Sequence, residues 1–274
     1  MKKAKKIRFG LIGCGAMGHV IVGHVLKRWK QKAQWTGVYD KSTEASRALC
    51  KRWKLTAPAK DLRQVVSKSD WVVEAASPSA VGEILRLCLV QKKNLIVMST
   101  GGLLSCSSLL KKATAKGMRV IVPSGAIAGL DGIKAARLGR IEKASIVTRK
   151  PPKALVGAPY LEERGMDVSG ISQQTTIFEG NAKEAMRGFP ANVNVAATLA
   201  LATGLGPAQT RVRIVADPAI TRNIHRIEIV GTTGQLTAEV QNVPSAVNPK
   251  TSAMAVLAAC AAIDDIFSSV RIGT

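Results

Sequence analysis

Between residues 7 and 122 the chain alternates short β-branched and apolar runs with longer amphipathic stretches. Ile7 to Ile12, Gln34 to Tyr39, Trp71 to Ala75, Asn94 to Met98 and Met118 to Val122 read as strands. Met17 to Trp29, Ser42 to Trp53, Asp61 to Val66, Ala80 to Gln91 and Ser107 to Lys116 carry apolar residues at helical spacing and read as helices. Strand–helix–strand alternation of this kind predicts a parallel sheet with crossover helices.

From about residue 140 the pattern changes, and strand-like segments follow one another with turn residues between them: Ala144 to Thr148, Gln174 to Phe178, Arg211 to Ala216, Ile224 to Val230 and Gln235 to Gln241. "GTTG" at 231–234 separates the last two as a hairpin turn does. Two helices interrupt the strands, "NAKEAMRGF" with Asn181 as its cap and the apolar "ANVNVAATLALATG" ending at Gly204. A last helix follows "NPKTSAMAVLAACAAIDDIF", with Asn248 as N-cap and Pro249 at the first helical position. The expected fold class is therefore α/β: a Rossmann-type parallel-sheet domain, a second α+β domain with a mostly antiparallel sheet, and a C-terminal helix returning to the first. The expected boundaries are 1–125 with 245–274 for the first domain and 126–244 for the second.

Composition narrows the class. A hydrophobic content of 46% over 274 residues supports a sizeable core. No apolar run reaches membrane-spanning length, and "MKKAKKIRFG" lacks the apolar stretch and cleavage site of a signal peptide, so a cytoplasmic protein with no membrane partner is expected. The five cysteines are scattered without a CxxC pair, which supports neither a disulfide framework nor a metal site. The formal charge of +22 favours anionic ligands. No cluster of basic and aromatic residues accompanies it, so no specific nucleic-acid partner is expected.

The chemistry begins at "IRFGLIGCGAMGHV", where Gly13, Gly15 and Gly18 form G-x-G-x-x-G between a strand and a helix that opens with Ala16 and Met17. The three glycines suit a tight turn, close approach of backbone to pyrophosphate and close strand–helix packing, with the helix N-terminus facing the phosphates. Asp40 ends the next strand 22 residues after Gly18, where a carboxylate accepts hydrogen bonds from ribose hydroxyls and favours NAD. Asp40 also suits a helix cap for the segment starting at Ser42, and Lys41, Ser42 and Thr43 leave NADP open. Ala76, Ser77 and Pro78 lie where a parallel strand ends, near the expected nicotinamide ribose; Ser99 and Thr100 lie at another such end, where they suit either a ligand or a helix cap.

The segments "GLIGCGAMG", "STGGL", "VPSGAIAGLDGIKAA", "FPANVNVAATLALA", "DPAITRNIHRIEIVGTTG" and "NVPSAVNPKTSAMAVLAA" together resemble the L-aspartate dehydrogenase family, in order, from about residue 7 to about 262. That resemblance implies a homodimer of Rossmann-type subunits interconverting L-aspartate with iminoaspartate, or oxaloacetate plus ammonia, using NAD or NADP. It implies that His225 of the "NIH" strand is the active-site residue, and that Ala126 and Asn192 touch the cofactor. The strong basicity departs from an ordinary member.

The chemistry supports His225 on its own terms. Imine formation from oxaloacetate and ammonia needs a proton delivered to the carbinolamine oxygen as water leaves, and an imidazole, with an unperturbed pKa of about 6.5, can both give and take one near neutrality. His19 and His24 read as structural. A substrate with two carboxylates needs cations or aligned N–H donors. Lys134, Arg222 and the expected helix start at Lys250, Thr251 and Ser252 are the candidates. Of Asn192 and Asn194, one is expected to bind cofactor, and the other to cap the helix or touch substrate. Rival readings are a homoserine dehydrogenase-like or dihydrodipicolinate reductase-like enzyme, or a non-catalytic dinucleotide- or nucleic-acid-binding protein.

Overall fold

The computed structural model describes residues 5–190, 194–245 and 252–273. It divides into two compact units, Met1–Pro123 with Val256–Ser269, and Ser124–Ala255 with Val270–Thr274. The sequence placed the return to the first unit at residue 245, whereas the returning segment here begins at Val256.

The first unit runs β1 (Ile7–Ile12), α1 (Ala16–Arg28), β2 (Ala33–Tyr39), α2 (Thr43–Trp53), α3 (Leu62–Lys68), β3 (Trp71–Glu74), α4 (Pro78–Val90), β4 (Asn94–Val97), α5 (Thr100–Leu104), α6 (Ser107–Ala115) and β5 (Val120–Ile121). Its strands form one parallel sheet in the order β2-β1-β3-β4-β5. The chain leaves β1 toward β2 and then returns to the other side as β3, so the strand order reverses between β1 and β3. Open α/β sheets bind ligands at the carboxyl ends of strands on either side of such a reversal. β3 is buried at all four positions, as a strand covered on both faces must be.

Two caps show why the helices begin where they do. Ser42 accepts from the Ala45 amide and Asp61 from the Gln64 amide, each satisfying a first-turn N–H that has no intrahelical partner. The last helix, α11 (Ala253–Phe267), buries Val256, Ala259, Cys260 and Ile263 in the same core as Phe9, Leu11, Ile21 and Leu49. Phe267 stacks on Trp29 with ring centroids 4.5 Å apart. The expected N-cap and first position of this helix, Asn248 and Pro249, lie outside the described residues.

The second unit contains α7 (Leu130–Ala136), β6 (Ile141–Lys150), α8 (Pro159–Glu162), β7 (Thr175–Asn181), α9 (Ala182–Gly188), α10 (Asn194–Thr203), β8 (Thr210–Ala216), β9 (Asn223–Gly231) and β10 (Gly234–Asn242). Its sheet has the order β10-β9-β6-β8-β7, and every neighbouring pair is antiparallel except β6 with β8. Asn181 and Glu184 form a capping box at the start of α9, and Gly204 takes a φ of +76° after α10. Only Thr232 and Thr233 separate β9 from β10, which is the hairpin read from "GTTG".

Alternation along these strands divides the sheet's core face lengthwise. On β6, Ala144 and Ile146 are followed at the same parity by Thr148 and Lys150; on β9, Ile229 and Ile227 lead to His225 and Asn223; on β10, Leu236, Ala238 and Val240 lead to Asn242. Successive side chains on one face are two residues apart, so one end of this face is apolar and the other polar. The apolar end packs with Phe178, Phe189 and Leu199 in the unit's core. The polar end holds this unit's candidate functional residues.

Candidate functional site

In the first unit, the loop from β1 to α1 has the geometry its glycines predict. Gly13 adopts φ +101°, and a Cβ there would collide with the Ala75 carbonyl; a Cβ on Gly18 would collide with the Gly13 carbonyl. A Cβ on Gly15 would meet nothing within 4 Å, so open space faces the residue preceding Ala16 and Met17. No side chain caps the N-terminus of α1 and no acid lies in its first turn, which leaves its amides suited to an anion. A cavity of about 500 Å³ adjoins this loop, lined among others by Gly13, Asp40, Lys41, Arg63, Ala76 and Ser77. The loop, the open helix start and the cavity fit a dinucleotide.

Asp40 is half-buried and already engaged: one oxygen accepts from the Cys14 amide at 2.7 Å and the other from the Ser42 amide at 2.9 Å. It holds the glycine loop while lining the cavity. The helix itself is capped by Ser42, not by Asp40. Pro78 opens α4 and Ser77 precedes it, its hydroxyl 3.0 Å from that of Ser79.

Beneath these loops lies Glu74, fully buried at the end of β3. Its carboxylate accepts from the Ala76 amide at 2.8 Å, the Met98 amide at 3.2 Å, the Ser99 amide at 2.9 Å and the Ser99 hydroxyl at 2.8 Å. Burial raises its pKa, while these donors oppose the rise. Ser99 therefore spends its side chain on Glu74 rather than capping α5, and Thr100 is buried. The sequence held a signal for Glu74, an acid closing the otherwise apolar "WVVE".

In the second unit His225 is 5% exposed, and its Nδ1 lies 3.0 Å from the Thr148 hydroxyl on the neighbouring strand. Burial first, and the Lys150 charge second, push its pKa down to about 3. Lys150, two residues beyond Thr148 on β6, is itself 6% exposed, and burial pushes its ammonium down to about 8. Thr148, Lys150, Asn223 and His225 thus meet at the polar end of the sheet. Asn242 completes that end by donating to the Ala126 carbonyl at 3.0 Å and accepting from the Ser252 hydroxyl at 2.5 Å. Ala126 is buried, held in place by this contact.

Of the expected substrate residues, Lys134, Asn194 and Arg222 are exposed, Arg222 lying between Thr221 and Asn223 of the cavity at the end of β6, and the cation acting on His225 is Lys150. Strand parity forces Lys150 inward. Ser252 stands at the start of α11, bridged to Pro244, and its hydroxyl accepts from the Met254 amide at 3.1 Å. Asn192, Lys250 and Thr251 lie outside the described residues. The sequence reading missed Lys150 because it closed the strand at Thr148; carrying the alternation to Pro151 would have placed a lysine at a core-facing position. His24 and His19 are engaged in the first unit, with Asp264 at 2.6 Å and the Trp53 indole N–H at 3.3 Å.

A chain built in this way is an oxidoreductase of two domains, one of them shaped for a nicotinamide dinucleotide. Two family profiles match: "Homoserine dehydrogenase, NAD binding domain" over residues 13–123 and "Aspartate dehydrogenase, C-terminal" over residues 131–266. The L-aspartate dehydrogenase of Methanosarcina barkeri is 39% identical over 98% of this chain and 100% of its own length. That of Nitrosopumilus maritimus is 40% identical over 97% and 99%. The crystal structure of aspartate dehydrogenase from Thermotoga maritima superposes with a TM-score of 0.71 at 27% identity, covering 98% of this chain and all of that one. The chain belongs to the L-aspartate dehydrogenase family.

Proposed function

We propose that this protein interconverts L-aspartate and iminoaspartate, and hence oxaloacetate plus ammonia, with NAD or NADP, and that His225 is its general acid/base. The observation carrying the proposal is the buried imidazole of His225, oriented by Thr148 beside Lys150, in a chain of this family. The first unit is the dinucleotide-binding domain, with Gly13, Gly15, Gly18, Asp40 and the Ala76–Pro78 turn as the cofactor's surroundings. Asp40 at the cavity favours NAD, while Lys41 and Arg63 in the same lining offer partners to a 2′-phosphate. The second unit is the substrate and dimerisation domain. The homodimer and a cytoplasmic location are supported by the family resemblance; among the described residues, no helix is long and apolar enough to cross a membrane.

The chain's own part in the reaction is proton handling and charge. Oxaloacetate and ammonia add to give a carbinolamine. A proton given to its hydroxyl oxygen lets water leave, and iminoaspartate remains. When bound, the reduced nicotinamide supplies the hydride that converts the imine carbon to that of aspartate. His225 gives the proton in this direction and takes it from water in the other. Without substrate, His225 is neutral at physiological pH because it is buried beside a cation. A substrate carboxylate near Lys150 cancels the second cause and raises the proton affinity of the imidazole. Thr148 fixes the ring, leaving Nε2 for the substrate.

The test follows reduced-cofactor absorbance with oxaloacetate and ammonia, each omitted in turn, with both nicotinamide cofactors. Oxidation that requires both substrates is expected. Oxidation independent of ammonia, or turnover retained by His225→Asn, would overturn the reading.

A further inference from the structure

We infer that Lys150 is the cation that holds a carboxylate of the substrate, in the cavity opening where β6 ends. This rests on the diacid reading of the same site. The cavity measures about 460 Å³ and is lined among others by Lys150, Lys153, Phe189, Thr221 and Asn223. Ligand pockets run from about 300 to 1,000 Å³, so there is ample space for a four-carbon diacid. Among its described lining residues are two lysines and no carboxylate.

The placement follows from the chain. Pro151 and Pro152 end β6 and leave Lys150 as the last strand residue, at the parity of Ile146 and Thr148 and facing inward. The charged and titratable groups around it come from three directions. His225 faces it from β9, Lys153 lies in the turn that follows, and Asp217 approaches through the backbone, its amide donating to the Lys150 carbonyl at 2.8 Å. The Asp217 carboxylate is directed to Arg149, of opposite parity, and to the Ala219 amide. A lysine buried at an apolar wall loses hydration, and an anion in the adjoining cavity adds a favourable charge interaction. Lys153 is exposed and adds attraction at the mouth. His225 is not among the lining residues of this cavity; it neighbours Lys150 across the β6/β9 pair, and a carboxylate on Lys150 brings the diacid to the strand end that carries the imidazole.

The test measures KM for oxaloacetate at saturating ammonia and reduced cofactor, and the affinity of succinate, an unreactive diacid, for the enzyme–cofactor complex by calorimetry. In Lys150→Met, the oxaloacetate KM should rise at least 30-fold and succinate binding weaken by a similar factor, while KM for the reduced cofactor stays within twofold. Lys150→Arg should recover part of the loss. In the unaltered protein, succinate affinity should fall about tenfold per pH unit above about 8, where the ammonium loses its proton, and this dependence should be absent in Lys150→Met. An oxaloacetate KM and succinate affinity within threefold of the unaltered protein in Lys150→Met overturn the inference. If that variant does not fold, Lys150→Gln and the pH dependence of the unaltered protein decide, a flat profile from pH 7 to 10 overturning it. Absent turnover with pH-dependent succinate binding would sink the aspartate reading and leave Lys150 standing; turnover with an unchanged KM would do the reverse.

Discussion

The Thr148 hydroxyl and the His225 Nδ1 face each other at 3.0 Å across the antiparallel β6/β9 pair, in register and buried. Two strands therefore fix one ring, and the pair acts as a unit. Replacing His225 with Asn should lower kcat by about 10²- to 10⁴-fold, the usual worth of a general acid/base. Cofactor affinity, read by fluorescence of the bound reduced nicotinamide, should change little.

Thr148→Val keeps the shape and removes the partner of Nδ1. A buried polar atom left unpaired costs about 1–3 kcal/mol, so urea midpoints should fall accordingly. The ring also loses its anchor, and kcat should drop while Thr148→Ser retains most of it. Equal activity in the valine and serine variants would remove the orienting role.

Stability should depend on pH on both sides of neutrality. The pKa of His225 is depressed in the folded state to about 3. Its unfolded state therefore takes up a proton from pH 6.5 downward while the native state does not, and stability is lost at about 1.4 kcal/mol per unit below pH 6.5. Lys150 is charged in both states below about 8, where its burial opposes folding, and that cost is relieved as pH rises from about 8 toward 10.5. Urea melts should show the acid limb flattened in His225→Asn and the alkaline rise absent in Lys150→Met, which should melt higher than the unaltered protein at pH 7.

Gly13→Ala introduces a methyl group against the Ala75 carbonyl at a φ of +101°. Both the left-handed backbone and the collision act in the same direction, and a loss of about 1–3 kcal/mol is expected with cofactor binding greatly weakened. Gly15→Ala, whose added methyl group meets no protein atom, should leave stability nearly unchanged and reduce cofactor affinity alone. Thermal melts beside cofactor titrations distinguish the two.

Much of this was legible in the sequence, for identifiable reasons. Strong strand–helix alternation and the glycine spacing marked the first unit, and the "GTTG" turn and the Asn181 cap marked elements of the second. His225 was singled out by the family resemblance and by an imidazole's fitness for proton transfer, on a strand that the alternation had marked. Lys150 and Thr148 were not, because two-residue parity near a strand end is lost once the end is misplaced. In a chain with 40 lysines and arginines, moreover, composition offers no means of picking out Lys150, the buried cation among the described residues. Glu74 was hidden differently: its function depends on loops from two parallel strands that lie far apart in the chain.

Glu74 joins the turn after β3 to the turn after β4 through four hydrogen bonds to a single carboxylate. The rim that these two turns form is thereby assembled during folding, before any ligand arrives. Little conformational freedom remains to be lost there on association, so the entropy penalty of cofactor capture should arise chiefly from the dinucleotide's own torsions.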